Sequence, residues 1–339
     1  MKIPIPLRFL PVLLAASAAV PAPAQQKEDA RLRVEVFDFF NFRAMENSVT
    51  GKSMRERIFS DLKADPETAA LFEKLNADCG TSVPESVETA SVALLASPQK
   101  DRLGIARFEL RESDAKALAR TAAGEPAVPA GTLAELSDLP RGATFSAFPK
   151  ALAEMLPEFF RNGAKDVRFR ADPAKGTVFL AAAEKPVTPQ KFTAETRAEL
   201  DAIIGETRKD GLLIFRKFPR RVPPQHVEGD FCPPVPAGAL SFEEKDGQVK
   251  ISVVFDCLSE REKAFLERFF AHFKENLLAS ARESGDERAK QESLEAVGNT
   301  LEVSSDGLKL KIGFDCPAEK FPEFLKRRGE WYPQDAACR

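Results

Sequence analysis

Apolar and polar residues alternate along "ALSFEEKDGQVKISVVFDC", which begins at Ala239, with a break at Asp246-Gly247. Asp-Gly suits a two-residue hairpin turn, because both central positions need positive φ. After the turn Val249, Ile251, Val253, Phe255 and Cys257 share one side of the expected strand. Lys250, Ser252 and Asp256 take the other side, and Val254 is the exception. The period then lengthens. Ser259 and Glu262 form a capping box, and Phe265, Leu266, Phe269, Phe270, Phe273 and Leu277 make a helical stripe. The pattern predicts a hairpin followed by a helix.

The pattern returns. "IGFDC" ends at Cys316 as "VVFDC" ends at Cys257, a spacing of 59 residues. In the later copy Leu308, Leu310, Ile312, Phe314 and Cys316 share a side after Asp306-Gly307, Pro317 suits a helix start and Gly329 a stop. This copy is one residue shorter between turn and cysteine, which predicts a bulge or a shifted turn. Two weaker hairpin-helix copies begin at Ser91 and Asp166, the latter helix opening at Thr188-Pro189 or at Thr193. Further strand-helix pieces precede them. "RLRVEVFDF" leads to helical material from Ser53 to Leu75, and "ATFSAF" leads to "PKALAEMLPEFF". The expected fold is α+β, built of antiparallel β-hairpin plus helix repeats, with helices covering one face of one or two sheets. An N-terminal domain over 25–217 would hold the two weaker units, and a C-terminal domain over 239–339 the two stronger ones. The Pro-rich stretch 218–238 would connect them, as a linker or as a rigid piece inside one sheet.

This run of a strand, a helical segment, "GTSVPESVETASVALL" and a hairpin with its helix resembles exported bacterial proteins of uncharacterised activity, built from repeated hairpin-helix units. The resemblance covers most of the chain after residue 24 and implies no site residue.

Composition adds a compartment. Lys2 and Arg8, the apolar "FLPVLLAASAAV" and "APA" at 22–24 read as a secretory signal peptide over 1–24, cleaved before Gln25. Without Lys2 and Arg8 the net charge moves from −3 to −5, a poor balance for a nucleic-acid partner. No later apolar stretch is long enough to span a bilayer. The expectation is an exported protein, periplasmic or extracellular, with an envelope or extracellular partner. Phenylalanine occurs 27 times against one Trp and one Tyr, which argues against a carbohydrate-binding surface.

Candidate chemistry is sparse. Five cysteines in an exported chain suggest disulfides among Cys232, Cys257, Cys316 and Cys338. Hairpin register favours Cys232–Cys257, Cys338 is the nearest partner of Cys316, and Cys257–Cys316 is the rival pairing. C-x-x-C spacing and nearby His, which metal or redox chemistry would want, are missing, so no cofactor is expected. Gly51-Lys52-Ser53 imitates the end of a P-loop, but the required glycine at position 46 is Glu46. Ser113-Asp-Ala-Lys116 has the Ser-x-x-Lys spacing of a serine enzyme without its companion motifs, and Ser97 with Lys100 repeats that spacing. His226 and His272 lack a Gly-x-Ser-x-Gly elbow or a second ligand. Asp256 and Asp315 recur with the cysteines and read as helix-start carboxylates. Arg216, Lys217, Arg220 and Arg221 read as a basic loop that would hold an anionic partner or a lipid surface, against the plainer reading of a solvated run. The functional expectation is a non-catalytic scaffold or binding protein. The alternative is a periplasmic hydrolase using a carboxylate or Ser-Lys site.

Overall fold

The computed structural model describes residues 31–63, 73, 86–97, 102–111, 114–116, 127–128, 145–147, 166–172, 176–183, 193–220, 225–227, 230–232, 236–285 and 287–326. The elements are β1 (Arg33–Asn41), α1 (Phe42–Glu46), α2 (Val49–Lys63), β2 (Val87–Ala96), β3 (Arg102–Leu110), β4 (Ala127–Val128), β5 (Phe145–Ala147), β6 (Asp166–Asp172) and β7 (Thr177–Ala183). There follow α3 (Ala194–Glu206), β8 (Leu212–Phe218), β9 (Gln225–Val227), β10 (Asp230–Cys232), β11 (Ala237–Lys245) and β12 (Gln248–Asp256). The chain continues through α4 (Glu260–Arg282), α5 (Arg288–Thr300), β13 (Glu302–Asp306), β14 (Lys309–Pro317) and α6 (Phe321–Lys326). The fold is α+β, and the hairpin ladders are antiparallel. No helix among the described residues is long and apolar enough to cross a membrane.

The chain divides into two compact units. A C-terminal unit gathers Asp210–Arg339 and takes in Ala44–Ile58, and an N-terminal unit holds Ala24–Arg43 and Phe59–Lys209. The boundary therefore falls before β8, earlier than the Pro-rich stretch. The reason is pairing: β8 is a strand neighbour of β11, with Phe218 opposite Gly238. The Pro-rich run joins these two strands inside one unit, and its own β9 and β10 pair as a small separate ladder.

In the C-terminal unit the strand order is β13-β14-β12-β11-β8. The β11–β12 turn is as expected: Lys245 faces Gln248, and Asp246 and Gly247 both have positive φ (52° and 72°). The later hairpin turns one residue further on. Asp306 faces Lys309, leaving Gly307 (φ 57°) and Leu308 as the loop, so the missing residue is absorbed by a shifted turn. β12 and β14 then pair antiparallel, and their register is self-consistent. Phe255 faces Leu310 and Phe314 faces Ile251, so the offset that overlays the two Phe-Asp-Cys segments exchanges these two pairs. Val253 faces Ile312 at the local two-fold centre.

Alternation sends one side chain set of this sheet under helices. Leu266 and Phe270 of α4 pack on Phe218, Leu240, Val253, Phe255, Cys257, Leu310 and Ile312. The rings of Phe321 and Phe324 in α6 meet Phe314 at 6.2 and 5.9 Å, and Phe242 meets Phe321 at 5.2 Å. The opposite face carries exposed Lys250, Asp256, Lys309, Lys311 and Asp315. Two lysines fix α4 along the β13 hairpin: Lys263 Nζ donates to the Gly307 carbonyl (3.1 Å) and Lys274 Nζ to the Leu301 carbonyl (2.8 Å). Eleven helical residues rise about 16 Å, nearly the length of a five-residue strand, so the two ammoniums match the strand's ends. Ser259 Oγ accepts from the Glu262 N–H (3.2 Å), and Glu262 reaches back to the Leu258 N–H (2.7 Å), which supplies the expected cap. The stripe from Phe265 to Leu277 predicts one helix between the hairpins; the structure has two, with the chain turning at Gly285 (φ 57°) between them.

The N-terminal unit has the order β1-β2-β3-β7-β6-β5-β4. Its first five strands repeat the C-terminal scheme: a lead strand, one hairpin, and a second hairpin joined through both second strands. Thr193 caps α3 by accepting from the Thr196 N–H (3.4 Å), the second of the two starts considered. The face under α3 is apolar at one end, where Val34, Phe37, Leu95, Leu103 and Ile105 are all buried. Glu199 of α3 accepts from the Val34 N–H, and Thr196 Oγ1 donates to the Leu32 carbonyl.

Candidate functional site

Gly51-Lys52-Ser53 lies in the first turn of α2, where helix N–H groups lack intrahelical partners and attract anions. The anion is already there. Glu244 of β11 accepts from the Val49 N–H (2.8 Å) and the Thr50 N–H (2.9 Å), while Ser48 Oγ accepts from the Gly51 N–H (2.8 Å). Gly51 is required by packing: a Cβ would stand 2.7 Å from the Met45 carbonyl oxygen and closer still to Ser48 Oγ. Lys52 is exposed. The segment is a helix start tied to the sheet by a carboxylate, and a phosphate would have to displace Glu244.

The two Phe-Asp-Cys segments occupy equivalent places. Phe255 is buried between Phe218 (6.2 Å) and Phe270 of its following helix (6.3 Å). Phe314 is half-buried against its own following helix, α6. Asp256 and Asp315 point to the open face and are exposed. Asp256 faces Lys309, and Asp315 is six positions further along β14. At about 3.3 Å per residue the two carboxylates are some 20 Å apart, beyond the roughly 5–10 Å that carboxylate pairs use to share one reaction.

The thiols follow the same logic. Cys257 and Cys316 are both free and buried. Cys257 donates its backbone N–H to the Leu308 carbonyl, whereas Cys316 faces Val249 at the other end of the ladder. Register therefore rules out the rival Cys257–Cys316 bridge. Neither of the favoured bridges is formed at Cys257 or Cys316; Cys232 lies on β10, and Cys338 lies outside the described residues. Burial raises the Cys257 thiol pKa and pushes that of Cys316 up to about 11, so both are held as neutral SH groups.

The basic run is divided rather than gathered. Arg216 and Lys217 sit on β8, not on a loop, and neighbouring strand positions face opposite sides. Arg216, opposite Leu240, is buried on the helix-covered face; Lys217, opposite Ala239, is half-buried on the other. Arg220 follows the strand, and Arg221 lies outside the described residues. His272 is exposed on α4 with Glu275 at 3.7 Å, and His226 is on β9. Lys116 is exposed and Ser97 is buried, while Ser113 and Lys100 lie outside the described residues.

A constellation that the sequence reading missed lies in the N-terminal unit. On one face the register sets four rows across the strands. Leu95 with Leu103 and Ala183, and Ala93 with Ile105 and Ala181, are apolar on β2, β3 and β7 and meet Asp166 and Arg168 on β6. The next row is Phe39, Ser91, Arg107, Phe179 and Arg170, and the one beyond is Asn41, Thr89, Glu109, Thr177 and Asp172. The Arg107 guanidinium stands 5.9 Å from the Phe179 ring centre and donates to Glu109 Oε1 (2.8 Å). Thr89 Oγ1 donates to Glu109 Oε2 (2.9 Å), so Glu109 is held from both sides. Thr177 is buried, and among the described residues its hydroxyl has no hydrogen-bond partner. Its signal in the sequence was weak: "ARFEL" and "VRFRA" alternate Arg with apolar residues, which a strand reading assigns to solvent.

No family model matches this chain, and no curated protein matches it. A solved structure described as "Structure of crystal form I of TP0453" is similar at a TM-score of 0.35 and 8% identity, over 86% of this chain and 93% of that one. That likeness is too distant to inform fold or function.

Proposed function

We propose that the protein is an exported, non-catalytic scaffold that binds a component of the cell envelope or its surroundings. The observation that carries this reading is the shared strand order of the two units. A lead strand with two hairpins, built twice, yields broad sheet surfaces. The segments that suggested chemistry support the reading through what they touch. Glu244 fills the α2 start, and Cys257 and Cys316 pack as neutral thiols. The separation of Asp256 from Asp315 speaks against the carboxylate route to a hydrolase. The run from Lys2 to Ala24 supports export as a signal peptide, and a disulfide through Cys232 or Cys338 remains compatible with that compartment.

The test uses the full chain in its own cells. Fractionation with N-terminal mass analysis should find a mature form beginning at Gln25 outside the cytosol. A photocrosslinking residue at Lys311, on the open face, should then give one defined adduct, while the same residue at Lys52 gives none. A cytosolic protein retaining Met1, or a hydrolytic turnover abolished by Asp315→Asn, would overturn the reading.

A further inference from the structure

β14 pairs with one edge of β13, and among the described residues no strand pairs with the other. Register decides which backbone groups that outer edge offers. The Cys257 N–H donates to the Leu308 carbonyl, so Leu308, Leu310 and Ile312 bond toward β12. Lys309, Lys311 and Gly313 therefore bond toward β13, through Asp306, Ser304 and Glu302. This leaves the N–H and C=O groups of Val303 and Ser305 pointing outwards. Leu301 and Gly307 lie in the same phase, and their carbonyls are the two that Lys274 and Lys263 of α4 occupy. The lysines close the ends of the edge and leave its middle open. Side chains follow the other alternation. Val303 packs against the core beside Leu266 and Phe270 of α4, whereas Glu302 and Asp306 are exposed on the open face. Neither carboxylate has an ion-pair partner among the described residues.

We propose that this edge takes a short extended segment of a partner protein as an added strand, and that the segment carries basic residues on its solvent side. An added strand gains affinity from main-chain hydrogen bonds and selectivity from alternate side chains. Val303 and Ser305 supply the donors and acceptors, and the Lys263 and Lys274 ammoniums limit the paired length. One basic residue opposite Glu302 and another opposite Asp306 would be neutralised on the open face, the arrangement that favours cross-strand pairs. A second copy of the chain fits less well. Pairing two β13 strands through all these groups sets Ser304 opposite Ser304 and places Glu302 opposite Asp306 twice, a destabilising like-charge contact. The shortness and charge of the strand thus guard against self-association, and the same charge selects a cationic segment. The inference deepens the binding reading by giving the partner a chemistry, but it does not depend on export.

The probe is a capped peptide of about nine residues, a full strand length, alternating lysine with valine. It is titrated into the full mature chain by calorimetry, with amide hydrogen exchange followed at Val303 and Ser305. Binding, with slower exchange at these two amides, is expected. The same peptide built with N-methylvaline keeps its charge but loses its donors toward β13, and it should bind at least about tenfold more weakly. Exchanging the lysines for glutamates should abolish binding. Ser305→Pro removes one outward N–H and leaves the β14 ladder intact, because proline is tolerated where an edge N–H faces solvent. This variant should also lose about tenfold or more in affinity while keeping its thermal midpoint. Should it fail to fold, Glu302→Lys/Asp306→Lys carries the test, since reversing two exposed charges should weaken the lysine peptide several-fold. The proposal is overturned by no binding of the lysine peptide, by equal binding of the N-methylated or glutamate form, or by binding that both variants leave unchanged. A dimer of the chain that Ser305→Pro abolishes would give the edge to a second copy and overturn it as well. None of these outcomes alters the fractionation or crosslinking results, so the two readings fail separately.

Discussion

The two units build the same five-strand scheme and use it differently. In the C-terminal unit the helix-covered face is apolar along β12 and β14, from Phe255 and Leu310 through Val253 and Ile312 to Ile251 and Phe314, while Arg216 on β8 and Glu244 on β11 join its rows. In the N-terminal unit the equivalent alternation is apolar for two rows on β2, β3 and β7, and then brings in Arg107, Glu109 and Thr177, with Arg170 beside them on β6. Strand order alone therefore sets neither core nor site. A sheet face becomes a core where alternation stays apolar, and it acquires chemistry where charged residues take the same positions and neighbours hold them.

The largest expected effect separates the two hairpins of the C-terminal unit. Phe255→Ala should cost about 3–5 kcal/mol, the range for emptying a packed aromatic site. Phe314→Ala should cost less, roughly 2 kcal/mol, because α6 covers it with six residues where α4 has 23. Urea unfolding of both variants checks this. Equal losses would mean that helix length does not set the protection.

A pH dependence comes next. The Cys316 thiol keeps its proton to about pH 11 in the folded chain, whereas an exposed cysteine releases it near pH 8.5. The unfolded chain thus binds fewer protons in this window, and stability should fall as pH rises from about 9 to 11. The loss expected from this thiol is on the order of 2 kcal/mol. Cys316→Ala should flatten that part of the profile, measured under reducing conditions. A variant with an unchanged slope would contradict the burial of this thiol.

A smaller loss should follow Glu244→Gln, which weakens the carboxylate at the α2 start; helix caps and dipole contacts are worth about 1 kcal/mol. Lys52→Ala should change stability by less than about 0.5 kcal/mol, and ATP should give no thermal shift. Stabilisation by ATP that disappears in this variant would reinstate a phosphate site. Smallest of all, Asp256→Asn should cost about 0.5 kcal/mol or less, since Lys309 is its exposed partner at 4.0 Å.

Local rules made much of this legible. Asp246-Gly247, the Ser259 and Glu262 cap, and the alternation from Val249 to Cys257 each depend on residues within a few positions, and each structure formed as the chemistry requires. The Asp306-Gly307 turn slipped because its strand is one residue short, and glycine serves either loop position. Long-range partners were not legible. Glu244 meets Val49 across 195 residues, and Arg107 meets Arg170 only through β7 between them. Nothing in local periodicity selects such pairings; they follow from which strand edges meet. The basic run at 216–221 misled for the opposite reason, because neighbours in sequence on a strand face apart.

Asp256 and Asp315 recur because two hairpins pair about a local two-fold, which sets them at opposite ends of the open face. Cys257 and Leu308 form a hydrogen-bonded pair, so Asp256 and Lys309, one step along, form a non-hydrogen-bonded pair with side chains in close approach. Mild oxidation of Asp256→Cys/Lys309→Cys, followed by peptide mapping, should give a disulfide between positions 256 and 309. The companion Asp256→Cys/Asp315→Cys should give none between its two new thiols. A bridge between 256 and 315, with none between 256 and 309, would contradict the register and return the two carboxylates to a shared site.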